Sequence, residues 1–347
     1  MGRMALRRSL VLAAAGSLVM VPALAACGGG SSSSSSAAPP EKLTVALGAV
    51  AVTLSPVWLA QQLGYFKDAG VDVTISNAGG QVATSVASGQ ADVAMLGLPG
   101  ALAVANQGRA TSVIGWVLGK RGSGFTVGRP GINSITDCKT LATLPPGTSI
   151  YAWGEIYKSA FGATYQHVTF GDPPTVVANV VSGNVDCALT SYDQFYAGIK
   201  AGKLHLIVDP RDEASLPAQI RSTDFMDASL WGATDTLKSK REAVTRFMVG
   251  FKRALAYIKS ATPEQIADTL LQNNDWKTFP REDLVALAAA NKPLLGGPEA
   301  GYISEKNWQG ALQVAKLGGL AYVDPASPKW SYQTLVDMSY FDAAKTS

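Results

Sequence analysis

Histidine and cysteine are scarce in this chain of 347 residues, which contains two histidines and three cysteines. His167 and His205 both fall inside predicted strands, where a histidine usually has a structural role. The GxSxG, HExxH and P-loop motifs are also missing. Glu155 and Asp172 are the remaining candidates for a catalytic acid–base pair, but acidic residues are common at the starts of helices for structural reasons. The sequence therefore predicts no catalytic residue, no metal site and no cofactor.

Charged residues show no excess of one sign, with 29 basic against 26 acidic side chains. Arg3, Arg7 and Arg8 belong to an N-terminal segment without acids, and its removal leaves 26 basic residues against 26 acidic ones. No run rich in Lys or Arg and no basic patch with aromatic residues is present. Nucleic acid is therefore excluded as a predicted partner.

The N-terminal segment has the pattern of an export signal. The apolar run Leu10–Leu24 is shorter than a typical transmembrane helix, and small residues follow it before Cys27. This ending resembles the lipobox of bacterial lipoproteins, which implies a signal peptide over residues 1–26 and lipid attachment to Cys27. The alternative is an ordinary signal peptide with a free cysteine. Arg7-Arg8 leaves both the general and the twin-arginine export route open.

Residues 27–40 predict a disordered tether behind the lipidated Cys27. Its Gly, Ser, Ala and Pro residues cannot bury apolar area, and a tether of this length spans about 20 Å. A lipid anchor and a flexible tether together predict a domain held at the extracytoplasmic face of the cell membrane.

A nine-residue pattern occurs twice, as VASGQADVA over Val86–Ala94 and as VVSGNVDCA over Val180–Ala188. Each copy is typical of a last helical turn, a Gly where the chain leaves the helix, and an Asp before a buried strand. Asp92 and Asp186 are therefore expected to be structural turn residues. The repeat predicts two similar α/β units.

Apolar strand patterns alternate with helical patterns around each copy of the repeat. This alternation predicts an α/β fold of two doubly wound lobes. Residues 41–122 and 230–347 are predicted to form lobe 1, and residues 123–229 lobe 2. The predicted strands of lobe 1 are Leu43–Leu47, Val71–Ile75, Asp92–Leu96 and Thr111–Leu118, with Leu230–Ala233 returning from lobe 2. Those of lobe 2 include Phe125–Val127, Cys138–Leu144, Tyr165–Phe170 and Leu204–Val208.

The chain after residue 233 is predicted to be helical. Capping boxes are expected at Ser239 and Thr262, and further helix caps at Ser304 and Ser327. Apolar residues between the two boxes recur on one helix face, as a core-facing helix requires. These helices are expected to pack on the outside of lobe 1.

Two cysteines remain after Cys27. Cys138 precedes one predicted strand of lobe 2 and Cys187 opens another, and these strands are neighbours in a doubly wound sheet. Both side chains would then lie at the same end of adjacent strands. In an exported protein this placement predicts a disulfide, with two buried free thiols as the alternative.

Several segments between Leu43 and Asn273 resemble the substrate-binding proteins of ABC importers. The strongest are GYFKDAG at Gly64–Gly70 and SGQAD at Ser88–Asp92. The nearest branch binds aliphatic sulfonates, taurine, nitrate or pyrimidine precursors of thiamine. The resemblance implies a type II periplasmic-binding-protein fold, in which two lobes joined by two crossovers close on a ligand and dock on a membrane permease. Residues 137–140 and Pro145-Pro146 depart from the family pattern.

Ligands of open parallel sheets bind beyond the carboxyl ends of the strands. The residues of those loops are the candidates for ligand contact: Thr53, Ser55, Gly79, Gly80, Gln81, Gly97, Leu98, Pro99, Ser149, Ser191, Tyr192 and Asp193. Glycine-rich loops and helix N-termini favour an anion there. Thr53 and Ser55 equally suit helix capping, and Gly79-Gly80 equally suits a plain turn.

Aromatic residues near the same loops offer a second kind of site. Trp116, Trp153, Tyr192 and Trp231 could sandwich a flat ring, although an individual Trp or Tyr more often packs in a core. The expected ligand is a sulfonate-like small anion, and the alternative is a flat heteroaromatic. The protein is expected to be a monomer. A further alternative is a lipoprotein that senses a ligand and signals to a membrane partner, instead of delivering the ligand to a permease.

Overall fold

The structure is a computed structural model that describes residues 40–117, 124–221, 227–295 and 300–346. The predicted signal peptide, the lipidated Cys27 and nearly all of the tether lie outside these residues. So does the predicted lobe boundary at residues 122 and 123. No helix in the described ranges is both long enough and apolar enough to cross a membrane.

Lobe 1 begins with alternating strands and helices, as predicted. In chain order they are β1 (Glu41–Leu47), α1 (Pro56–Gln62), α2 (Tyr65–Asp68), β2 (Val71–Asn77), α3 (Val82–Ala87), β3 (Val93–Leu96), α4 (Leu98–Asn106) and β4 (Thr111–Trp116). The sheet order is β2-β1-β3-β10-β4, where β10 enters later from lobe 2. Strands β2, β1 and β3 are parallel, and β10 is antiparallel to both of its neighbours.

Lobe 2 repeats this layout. Its elements are β5 (Phe125–Gly128), β6 (Thr140–Thr143), α5 (Ser149–Phe161), β7 (Gln166–Thr169), α6 (Pro173–Val181), β8 (Cys187–Thr190), α7 (Tyr192–Lys200) and β9 (His205–Val208). The sheet order is β7-β6-β8-β5-β9, with β7, β6 and β8 parallel and β5 antiparallel to β8 and β9. The first strand after each crossover, β5 or β10, therefore takes the same place in its sheet. The prediction of two doubly wound α/β lobes is confirmed.

The chain then returns to lobe 1 and becomes helical. The elements are β10 (Ser229–Ala233), α8 (Thr234–Ser239), α9 (Arg241–Ser260), α10 (Pro263–Leu270), α11 (Arg281–Asn291), α12 (Glu305–Leu317), α13 (Tyr332–Leu335) and α14 (Ser339–Ala343). Short 3-10 turns lie at Val52–Leu54, Gly79–Gln81, Ile135–Asp137, Glu213–Ser215, Ala218–Ile220, Asn274–Trp276, Lys292–Leu294 and Pro328–Trp330.

The late helices pack on lobe 1, as predicted, and they also reach lobe 2. Helix α9 lies against α1, α2 and β1, and α14 lies against α9 and β4. Helix α12 contacts α5, where a Cβ on Gly318 would lie 2.8 Å from Cβ of Ala152. On α7, the Lys200 ammonium pairs with Glu282 at 2.7 Å and Asp283 at 2.6 Å, both on α11.

The two aspartates of the repeat have the same structural role. Asp92 accepts a hydrogen bond from the Thr44 N–H of β1 at 2.8 Å, and Asp186 accepts one from the Thr140 N–H of β6 at 3.2 Å. Each carboxylate thus binds the backbone of the neighbouring parallel strand, at Thr44 within β1 and at Thr140 at the start of β6. Each also has a cationic partner, Lys240 for Asp92 and Arg129 for Asp186.

The hydrogen bonds at Asp186 outweigh the effect of its burial. Burial acts to raise the pKa of Asp186, but the hydrogen bond from Arg129 and the N–H groups of Lys139 and Thr140 lower the pKa below its usual value. The carboxylate is therefore held in its charged form. This supports a structural role for the aspartate of the repeat.

The structure contains some of the helix caps that the sequence predicted. The capping boxes at Thr262 and Ser304 are present. The box predicted at Ser239 is wrong, because Ser239 ends α8 and Lys240 precedes α9 without a side-chain cap. Ser327 and Ser55 precede helical turns, but neither side chain accepts a capping hydrogen bond.

A disulfide joins Cys138 to Cys187, with their Cα atoms 5.9 Å apart. Cys138 lies just before β6, and Cys187 opens the adjacent strand β8. Both residues are buried, and Leu141 of β6 lies opposite Cys187 in the strand register. The bond therefore links the bases of two neighbouring strands.

Removal of this bond is expected to destabilise the protein. The cysteines are 49 positions apart, and closing a loop of this length contributes about 2–4 kcal/mol by restricting the unfolded chain. The double variant Cys138→Ala/Cys187→Ala should lose that amount in urea unfolding. Wild-type protein with reductant should unfold like the variant. Equal midpoints for oxidised wild type and variant would contradict the assignment.

Candidate functional site

A cavity of about 150 Å³ lies between the two lobes, at the carboxyl ends of their parallel strands. Cavities of this size admit a benzene-sized molecule. Lobe 1 contributes the loop after β1, the turn after β2 and the end of β3 with the start of α4: Gly48, Ala49, Ala51, Thr53, Leu54, Gly79, Gly80, Met95, Leu96, Gly97 and Gly100. The cavity is therefore bordered by all three parallel strands of this sheet.

Lobe 2 borders the cavity in the same way, after β6, β7 and β8. Its lining residues are Leu144, Gly147, Thr148, Ser149, Ile150, Gly171, Pro173, Thr190, Ser191 and Gln194, and the crossover before β10 adds Asp227 and Ala228. The starts of α4, α5, α6 and α7 thus meet around one space. Helix N-termini carry partial positive charge and free N–H groups, so their convergence favours an electron-rich ligand.

Some polar side chains at these helix starts make a capping hydrogen bond to their own helix, and others do not. Thr148 caps α5 by accepting the Tyr151 N–H at 3.2 Å, and Asp172 caps α6 through the Thr175 N–H at 2.8 Å. Gly97 and Ser191 are the N-caps of α4 and α7, and neither makes a side-chain capping bond. The Ser191 hydroxyl therefore lines the cavity without serving the helix behind it.

Charge is sparse among the lining residues that the structure describes. None of them is Lys or Arg, and Asp227 is the one that can ionise. Its carboxylate accepts a hydrogen bond from the Trp153 indole N–H at 2.8 Å. The other described lining residues are glycines, apolar residues that include Met95, residues with hydroxyl groups, and Gln194.

The structure brings six of the predicted ligand-contact residues to this cavity: Thr53, Gly79, Gly80, Gly97, Ser149 and Ser191. Gly171 and Pro173 also line it and were missed, although they follow β7 and obey the same strand-end rule. Asp227 lies in a crossover, and no sequence signal marked it.

Several predicted residues lie elsewhere. The predicted loop Gly97-Leu98-Pro99 is corrected, because Leu98 and Pro99 form the first turn of α4 and are buried there. Ser55 is fully buried at the start of α1, and Gln81 is exposed at the end of a 3-10 turn.

The four predicted aromatic residues do not line the cavity. Trp231 is fully buried in the core of lobe 1, where Trp116 also packs. Trp153 is buried in the core of lobe 2, with its ring 5.4 Å from that of Tyr157. Tyr192 is half-buried beside Phe125, with the Arg211 guanidinium 4.5 Å from the centre of its ring. These rings fill cores or stack on other side chains, so none of the four offers the cavity a stacking surface.

Asp193 is buried in the boundary between the lobes, rather than exposed in the cavity. It lies in the first turn of α7, and its Oδ2 accepts the Val52 N–H at 2.6 Å. Its Oδ1 accepts the Asn291 amide N–H of α11 at 2.5 Å. Burial raises the pKa of Asp193 to about 6, against the lowering effect of hydrogen bonds from Val52, Asn291 and Thr53.

His167 lies between a hydroxyl and a carboxylate inside lobe 2. Its Nδ1 is 3.1 Å from the Thr143 hydroxyl, and its Nε2 is 2.8 Å from Glu155. Tyr151 covers the ring at 4.4 Å, and burial lowers the pKa of His167. Thr143 is fully buried, so this group does not present a nucleophile to the cavity. Asp172 caps α6 and does not join it.

Gly97 lies very near the opposite wall of the cavity. A Cβ at this position would lie 2.7 Å from Ser149 Oγ and 2.9 Å from the Asp227 carbonyl oxygen. Gly97→Ala is therefore expected to disfavour the closed lobe arrangement by about 1–3 kcal/mol, the usual effect of overpacking. Small-angle X-ray scattering should show a larger radius of gyration.

Gly80→Ala is the matched control for this prediction. A Cβ at Gly80 would meet only the Gly171 carbonyl oxygen at 3.6 Å, an ordinary contact across the same cavity. The control should keep the wild-type radius. Equal radii for Gly97→Ala and wild type would show that the lobes do not rely on this close approach.

Solved structures of similar fold are known from several bacteria. A protein from Bordetella bronchiseptica RB50 is 21% identical and superposes with a TM-score of 0.71, over 88% of this chain and 97% of that one. The alkanesulfonate-binding protein SsuA from Xanthomonas axonopodis pv. citri, bound to MOPS, is 16% identical with a TM-score of 0.65, over 83% and 95% of the two chains.

A third similar structure is the periplasmic nitrate-binding protein NrtA from Synechocystis PCC 6803. It is 12% identical with a TM-score of 0.66, and it covers 88% of each chain. These similarities confirm the periplasmic-binding-protein fold. No curated protein sequence matches the chain.

The sequence also matches a family model over a long continuous range. The model is described as NMT1/THI5 like, and it matches residues 52–266. That range is more than half of the chain, and it runs from the cavity wall after β1, through all of lobe 2, into α10. The chain therefore belongs to the NMT1/THI5-like family.

Proposed function

We propose that this protein is the substrate-binding component of an ABC importer and not an enzyme. The observation that supports this most is the cavity, which both lobes line with the carboxyl ends of their parallel strands. A ligand there touches both lobes at once, so its binding free energy can favour the closed arrangement. A membrane permease that recognises this arrangement would then receive the ligand.

The proposed ligand is a small organic anion of the sulfonate class. Four helix N-termini face the cavity, and each favours an anion by about 0.3–1 kcal/mol, or more where it is buried. Hydroxyl groups of Thr53, Ser149, Thr190 and Ser191 add hydrogen-bond donors, while Ala49, Leu54 and Leu96 suit a short apolar tail. Two proteins of similar fold are named for binding alkanesulfonate and nitrate.

A flat heteroaromatic ligand is the less favoured alternative. Such a ligand is usually held between aromatic side chains, and the described lining residues include no Phe, Tyr, Trp or His. The absence of Lys and Arg from the same set also disfavours a dianion such as phosphate. A singly charged anion with a compact apolar part fits the wall best.

The proposed location is the extracytoplasmic face of the cell membrane. The support is the sequence pattern of a signal peptide before Cys27, together with the disulfide, which persists in oxidising compartments. Lipid attachment at Cys27, a monomeric state and a permease partner are parts of the same proposal.

A thermal-shift screen tests the ligand class. Methanesulfonate and taurine are expected to raise the melting temperature, because a ligand present at one hundred times its Kd stabilises the native state by about 2.7 kcal/mol. Nitrate, pyrimidines and purines complete the panel. A shift with pyrimidines alone would favour the heteroaromatic alternative. A shift with a partner protein but with no small molecule would contradict the transport proposal.

Ser191→Ala tests whether the lining hydroxyl binds the ligand. A hydrogen bond to a charged group contributes about 1.5–3 kcal/mol, so calorimetry should show roughly ten- to one-hundred-fold weaker binding of the best sulfonate. Stability should be unchanged, because the hydroxyl does not cap α7. Ser182→Ala, which removes an exposed hydroxyl at the end of α6, should leave affinity unchanged. Equal affinities for all three proteins would contradict the placement of the ligand.

A further inference from the structure

Asp193 connects lobe 2 to the opposite wall of the cavity. Its carboxylate accepts hydrogen bonds from the N–H groups of Val52, at 2.6 Å, and Thr53, and from the side-chain amide of Asn291 at 2.5 Å. All three donors belong to the part of the chain that forms lobe 1. Thr53 lines the cavity, as does Ser191, two residues before Asp193. The carboxylate therefore lies directly behind the cavity and joins its two sides.

These hydrogen bonds exist only while the lobes are together. Separation of α7 from the 3-10 turn at Val52–Leu54 would return the carboxylate to water and free two backbone N–H groups. In the closed arrangement both Asp193 and Asn291 are buried, and the Oδ1 atom of Asn291 has no hydrogen-bond partner. A buried carboxylate with a spare acceptor beside it is a site that a proton can occupy.

Among the described elements that pack around Asp193, no charged group explains its raised pKa. The 3-10 turn Val52–Leu54 and helix α6, which packs on α7, have no titratable side chain. Directly after α11, Lys292 donates to the Ala261 carbonyl at 2.6 Å. The other titratable or charged groups on α7 and α11 are Tyr192, Tyr196, Lys200, Arg281, Glu282 and Asp283. Burial raises the pKa of Asp193, and the three hydrogen bonds oppose that rise.

We propose that Asp193 is a positioning residue for ligand capture, whose carboxyl group holds the Val52–Thr53 wall against lobe 2 and takes up a proton when the lobes close. This inference rests on the proposed function, because it assumes that the lobes open and close around a ligand. Asp193 acts through the wall that contains Thr53, without touching the ligand.

The direction of the pH effect follows from linkage. In an open protein the Asp193 carboxyl group would be exposed and would have the ordinary pKa of 3.8, whereas burial raises the pKa to about 6 in the closed arrangement. The closed state therefore binds more protons between these values, and closure becomes more favourable as pH falls through about 6. The equilibrium constant for lobe closure therefore rises about tenfold when the pH falls from 7.5 to 5.

The affinity for methanesulfonate at these two pH values tests the proposal, because the charge of this anion is the same at both. Wild-type protein is expected to bind it about tenfold more tightly at pH 5 than at pH 7.5. Asp193→Asn has no carboxyl group, so its affinity should not change with pH. The matched control is Lys200→Met, which removes the exposed ion pairs between α7 and α11 and should keep the tenfold change. A tenfold change that persists in Asp193→Asn would overturn the proposal.

A second measurement follows the Asp193 carboxyl group itself. In wild-type protein with ¹³C-labelled aspartate carboxyl groups and saturating methanesulfonate, which favours the closed arrangement, the Asp193 resonance should titrate with a midpoint near 6. A midpoint near 4 in the ligand-saturated protein would overturn the proposal. If methanesulfonate fails to bind at either pH while Asp193 titrates near 6, the proposed ligand class is wrong and the proton site stands.

Discussion

The arrangement of two parallel sheets with their carboxyl ends facing each other is the constraint on which this structure depends. Parallel strands need crossover helices, and each such helix starts at the carboxyl end of a strand. Four helix starts and their glycine- and hydroxyl-containing turns therefore surround one cavity. The antiparallel strands β5 and β10 carry the chain between the lobes, and each takes the same place in its sheet. The site is a consequence of this topology more than of any single motif.

The repeated Ser-Gly-x-x-Asp pattern supports this arrangement from the opposite end of the strands. Asp92 accepts a hydrogen bond from the Thr44 N–H of β1, Asp186 accepts one from the Thr140 N–H of β6, and each carboxylate pairs with a cation. The two aspartates bind strands that take the same place in their sheets, β1 and β6. The carboxyl ends of the parallel strands are therefore equivalent in the two lobes. The repeat thus determines the position of the ligand loops, although none of its own residues lines the cavity.

Local patterns predicted most of the fold, and the strand-end rule predicted the lining residues Thr53, Gly79, Gly97, Ser149 and Ser191. The rest depends on packing between distant segments. Whether Trp153 or Trp231 faces a core or a cavity depends on neighbours that sequence spacing does not show, and both are core residues. Asp193 looked like a ligand contact because it follows a strand. Its partners, Val52 and Asn291, lie 141 and 98 positions away, and only the folded chain brings them together.

The central claim is that an anion binds between the lobes, at the starts of α4, α5 and α7. Hydrogen-exchange mass spectrometry with and without the best-binding sulfonate tests this claim most directly, because those helix starts contribute the N–H groups. Slower exchange in the peptides that contain Gly97, Ser149 and Ser191, with no change in α12, is the predicted result. Slower exchange confined to segments outside the cavity, or no change at saturating ligand, would contradict it.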